Sequence, residues 1–135
     1  LRERPPAWTP PPPEVQELQA LTRRADELTE LAAREKGRLA SPALSGAART
    51  SVERTVRWLE REAAKVRAAA DAVVAASERL AEDRGLLESI PGVGRRTATA
   101  LLAELPAVDR LPSAQSAAAY CGLAPREFKS GSSVK

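Results

Sequence analysis

The residues best suited to chemistry lie in the run Ile90-Pro-Gly-Val-Gly-Arg-Arg-Thr97. Gly92 and Gly94 accept backbone angles closed to other residues, which lets main-chain N–H groups approach a ligand closely. A helix starting at about Arg95 presents free N–H groups and the positive end of its dipole, and both favour an anion. Arg95 and Arg96 add two full charges at the same point, with Thr97 beside them. Gly92, Val93, Gly94, Arg95, Arg96 and Thr97 therefore read as a helix-hairpin-helix grip on a nucleic-acid phosphate, a contact that reads no base. The bland alternative is a glycine turn joining two packed helices; a mere connector does not need adjacent arginines.

Other reactive side chains are sparse. Cys121 is the single cysteine and there is no histidine, so neither a disulfide within the chain, a Cys–His nucleophile nor a zinc cluster is available. Tyr120 lies near the end of an alanine-rich stretch, where packing explains it better than nucleophilic attack. Glu104, Asp109 and Glu127 are scattered, and no metal site is expected among them. Ser130, Ser132 and Ser133 sit in the Ser-Gly-Ser-Ser stretch, which composition alone reads as a flexible tail.

The elements that must position these residues are helical. Ala, Leu, Glu and Arg are abundant, aromatics make up 3% of the 135 residues, and one Phe leaves little material for a thick globular core. Residues 1–13 hold six of the eleven prolines and read as an extended lead-in carrying Trp8. From Glu14, the positions Leu18, Leu21, Ala25, Leu28, Ala32, Glu35 and Leu39 recur at steps of three and four. Pro42 and Gly46 interrupt the pattern. A second stripe then runs through Val52, Val56, Leu59, Ala63, Val66, Ala70, Val73, Ser77 and Leu80. Heptads this regular predict a left-handed coiled coil, folded back as an antiparallel hairpin over 14–84. Its alanines bury little area each, so pairing into a homodimer or higher assembly is expected to add stability.

Charge supports a local rather than a global nucleic-acid footprint. The net charge is +3, and acids interleave with bases along both stripes, as at Glu53, Arg54, Arg57, Glu60, Arg61 and Glu62. Such faces are normally solvated. Residues 85–135 carry six basic and four acidic groups. No apolar run is long enough for a membrane span and no signal peptide is visible, so the expected location is the cytoplasm.

Three segments together resemble a known family: Ile90-Pro-Gly-Val-Gly94, Ala98-Thr-Ala-Leu-Leu-Ala-Glu-Leu105 and Ser116-Ala-Ala-Ala-Tyr-Cys-Gly-Leu-Ala-Pro-Arg-Glu-Phe-Lys-Ser-Gly-Ser-Ser-Val134. They resemble the C-terminal transposase domain of bacterial insertion-sequence transposases that carry an N-terminal RuvC-like DEDD domain and use a structured guide RNA. The likeness covers about 86–135, and the preceding heptads resemble, less specifically, the coiled coil joining the family's two domains. The resemblance implies an all-α fold, with a coiled-coil hairpin followed at 85–135 by a helix-hairpin-helix-containing domain cut short at its C-terminus. It also implies DNA exchange through a serine nucleophile, placed at Ser130 with Ser132 and Ser133 as alternates. Arg126 and Lys129 would then hold the phosphate and balance charge as the bond breaks. Mg²⁺ would belong to the RuvC-like domain and no cofactor to this segment. DNA and guide RNA are the implied partners, with a bacterial, nucleoid-associated location. On this reading the chain is a piece of a larger enzyme and inactive alone. The competing expectation is a non-catalytic helix-hairpin-helix module on a coiled-coil assembly arm.

Overall fold

The computed structural model describes residues 10–104, and among them every regular element is an α-helix. The four are α1 (Pro13–Arg38), α2 (Gly46–Ala75), α3 (Glu78–Glu88) and α4 (Arg95–Glu104). The all-α expectation holds. The proline-rich lead-in to residue 9 lies outside the described residues.

Proline places the start of α1. Pro13 fixes a helical φ where no N–H partner is needed, and the Pro12 carbonyl accepts from Val15 N and Gln16 N, each at 3.0 Å. Glu14 sits in the first turn and Lys36 and Arg38 in the last, matching the two ends of the helix dipole. The connection to α2 is short and held by Arg49. Its Nη2 donates to the Leu39 carbonyl at 2.7 Å and its Nε to the Leu44 carbonyl at 3.1 Å.

α1 and α2 run antiparallel. Lys36 Nζ meets Glu60 Oε2 at 2.6 Å, and Thr29 Oγ1, seven residues back in α1, accepts from Arg67 Nη2, seven residues forward in α2. Between the helices Leu28, Ala32, Leu59 and Ala63 form one buried cluster, with Val66 packed against it. Alanine at two of these four positions lets the backbones approach, and leucine fills the space between.

A larger cluster closes the other end of the pair. Leu18, Ala70 and Val74 meet Leu80, Leu87, Ile90, Val93, Ala98, Leu102 and Ala103, so α3, the turn and α4 share one core with the open ends of α1 and α2. Gln19 Nε2 donates to the Ala103 carbonyl at 2.9 Å, and Arg23 grips Glu104 through Nε and Nη2 at 3.2 and 3.1 Å. These contacts dock α4 against α1.

The second stripe does not continue as one helix to Leu80. α2 ends at Ala75, and Ser77 is the N-cap of α3, its Oγ accepting from Leu80 N at 3.2 Å. A serine oxygen satisfies an N–H group at a helix start better than it occupies a core position. With the break comes a change of register: Val74 is fully buried and Val73 only partly.

Candidate nucleic-acid interface

The glycine turn forms where two helices must reverse around one apolar pocket. Leu87 and Ile90 end α3 in the core, and Ser89 Oγ donates to the Leu86 carbonyl at 2.6 Å. Val93 N then donates to the Ile90 carbonyl at 3.0 Å, closing a four-residue turn with Pro91 and Gly92 at its centre. Gly92 has φ +88°. Proline followed by a positive-φ glycine is the arrangement of a type II turn, and a Cβ at Gly92 would be strained.

Gly94 behaves differently from the expectation. Its φ is not positive, a Cβ there would meet no atom within 4 Å, and its carbonyl accepts from Ala98 N at 2.9 Å. Only one of the two glycines therefore uses left-handed backbone; Gly94 serves instead as the carbonyl that opens α4. Val93 turns its side chain inward. At 7% exposure it plugs the shared core, so only its backbone is near the exposed face.

Gly92, Gly94, Arg95, Arg96 and Thr97 are all exposed around the head of α4. The N–H groups of Arg95, Arg96 and Thr97 precede the helix's own hydrogen-bond ladder, as helix geometry requires. The inner face of α4 is Ala98, Thr99, Leu102 and Ala103, whereas Thr97 and Ala100 face outward. Arg95 Nε lies 3.6 Å from Glu88 Oε2, which ties one of the two arginines back to α3.

Four groups that sequence reasoning missed surround the candidate site. Arg84, with only 12% of its side chain exposed, donates from Nη1 to Asp71 Oδ1 at 2.7 Å and to Thr99 Oγ1 at 3.2 Å. Thr99 Oγ1 donates in turn to the Arg95 carbonyl at 2.9 Å. A chain of hydrogen bonds thus runs from α2 through α3 to the first turn of α4. Arg67 on α2 lines the same cleft as Arg95 and Arg96. Partial burial and the nearby Arg96 charge hold Arg67 below the usual arginine pKa, with Asp26 acting in the opposite sense. The sequence signal for Arg67 was an ordinary mixed-charge helix face, which hid it.

Ser130, Ser132, Ser133, Arg126, Lys129, Tyr120 and Cys121 lie outside the described residues. Among the described residues, no group of three or more His, Cys, Asp or Glu side chains could hold a metal ion, and no helix is long and apolar enough to cross a membrane.

Residues 84–135 match the family model described as transposase IS116/IS110/IS902 family. The match takes in the end of α3, the turn and α4. No curated protein matches the chain.

Proposed function

We propose that the chain is part of an insertion-sequence transposase that cuts and rejoins DNA through a serine nucleophile, with the head of α4 gripping a DNA phosphate. The observation that carries the reading is the family match over 84–135, which begins at Arg84, the residue that ties α4 to the helical pair. The exposed arginines at the start of α4 agree with it, because a helix N-terminus and two guanidinium groups act on one anion together.

In this reading Ser130 Oγ attacks the phosphodiester, forms a phosphoserine bond and releases the 3′ or 5′ hydroxyl of the broken strand. Attack by that hydroxyl, or by its exchange partner, restores the serine and reseals the DNA. Ester exchange of this kind conserves bond energy, so no external energy source is required. Arg126 and Lys129 would neutralise charge that develops on the phosphorus oxygens. Guide RNA and Mg²⁺ would act with the RuvC-like domain implied by the family resemblance. The helical pair would hold two copies together, and Trp58, 51% exposed on α2, is the largest exposed apolar side chain among the described residues.

The test is covalent trapping in the intact transposase containing this chain, with guide RNA and labelled target DNA. A protein–DNA adduct that disappears in Ser130→Ala and persists in Ser132→Ala and Ser133→Ala is expected. An adduct that survives Ser130→Ala moves the nucleophile elsewhere. Tight DNA binding without any adduct overturns the catalytic reading in favour of a binding module.

A further inference from the structure

A cavity of about 250 Å³ opens between α1, α2 and α4 beside the head of α4. Leu21, Ala25, Ala70 and Ala100 give it an apolar wall, and Arg67, Arg95 and Arg96 supply its positive charge. A second cavity, about 290 Å³, shares Arg67 and Arg96 with the first and continues along the helical pair to Lys36 and Glu60. Arg67 and Arg96 therefore sit where the two spaces meet.

The ion pairs single out these two residues. Arg95 is paired with Glu88, Lys36 with Glu60, and Asp71 with Arg84. Neither Arg67 nor Arg96 has an ion-pair partner among the described residues. Arg67 gives one N–H to Thr29 Oγ1 and leaves the rest of its fork uncommitted. Asp26 lines the first cavity and offsets part of the repulsion without closing on either guanidinium. Two like charges from different helices face one space, and an anion between them would relieve both their repulsion and the lost hydration of Arg67.

We propose that Arg67 and Arg96 together clamp a phosphodiester group of a nucleic-acid backbone at the junction of these two cavities. The guanidinium forks match phosphate oxygens in pairs, and the alanine-rich wall beside them suits the apolar face of a sugar. The clamp rests on the nucleic-acid reading of the α4 face but extends it. With α2 as a second anchor, the strand runs from the head of α4 into the groove of the helical pair rather than across the turn alone.

The experiment uses the full chain and fluorescence anisotropy over a salt series, with single-stranded DNA, duplex DNA and single-stranded RNA of equal length as separate probes. Arg67→Gln and Arg96→Gln are each expected to weaken binding about five-fold and to lower the salt slope by about one phosphate contact. The probe that loses affinity identifies whether DNA or RNA supplies the phosphate. Asp26→Asn should tighten binding, a gain that misfolding cannot produce, and Arg24→Gln, whose residue is paired with Glu27 on the exposed face, should leave it unchanged. Arg67→Gln with wild-type affinity and slope, alongside a loss in Arg95→Gln, overturns the clamp and leaves the turn as the phosphate site. Wild-type chain that binds none of the three probes overturns both.

Discussion

Arg84 Nη1 stands 2.7 Å from Asp71 Oδ1, and this contact locks the short α3–turn–α4 unit to the end of α2. The same nitrogen reaches Thr99 Oγ1, so a single guanidinium fixes how α4 presents its first turn. Arg84→Met keeps much of the apolar stem but removes these bonds. Charge-assisted hydrogen bonds contribute about 1.5–3 kcal/mol each, and the 43% exposure of the Asp71 side chain lowers the value here. A loss of about 1–2 kcal/mol in urea unfolding is expected. Asp71→Asn, which retains an acceptor, should cost less. Equal stability of Arg84→Met and wild type would show that the Arg84 bonds add nothing to the docking of α4.

The two glycines of the turn predict unequal effects. At Gly92 a side chain must occupy φ +88°, and alanine there should cost about 1–2 kcal/mol. At Gly94 φ is not positive and a Cβ meets open space, so alanine should be nearly neutral for stability. Chemical denaturation of both variants checks the contrast. Similar losses at the two sites would contradict the observed turn.

The helical pair was legible because its apolar spacing is set by the helix period: Leu18, Ala25, Leu28, Ala32, Val56, Leu59, Ala63 and Ala70 were all expected inside and are buried. The break between α2 and α3 was not legible from that spacing. Ser77 falls on the apolar stripe by count, and only its hydroxyl bonding to Leu80 N reveals a cap. The turn and its exposed arginine pair were visible from Gly92, Arg95 and Arg96, which are neighbours in sequence. Arg67 and Arg84 were invisible for the opposite reason. They reach the site through tertiary packing from helices where each looked like one more surface charge, and no local pattern distinguishes a cation facing solvent from one facing a cleft.

The Ser77 cap carries its own consequence. Ser77→Ala leaves Leu80 N without its side-chain acceptor at the start of α3, and loss of an N-cap costs about 1 kcal/mol. The effect should be concentrated in α3 and the turn. Amide exchange is expected to speed up there while the centre of α1 and α2 stays protected. If the variant instead extended α2 through residue 80, as the heptad count alone implies, helicity would rise and the cap would be an incidental contact.

Val93 divides the motif into a packed side chain and an exposed pair of charges. Its side chain is 7% exposed and belongs to the cluster with Leu87, Ile90 and Ala98, whereas Arg95 and Arg96 two and three residues later are exposed. Val93→Ala removes buried methyl groups and should cost about 2 kcal/mol, the cavity adding to the lost transfer energy. Charge at the head of α4 is untouched, so at temperatures where the variant is folded its nucleic-acid affinity and salt slope should match wild type. Arg95→Gln should do the reverse, lowering the slope by about one contact with little change in stability, since its ion pair with Glu88 is long and its side chain 66% exposed. Measuring unfolding and binding on both variants tests the division directly. Should Val93→Ala lose affinity while fully folded, the buried face of the turn would be setting the position of the N–H groups closely enough that packing and phosphate grip cannot be separated.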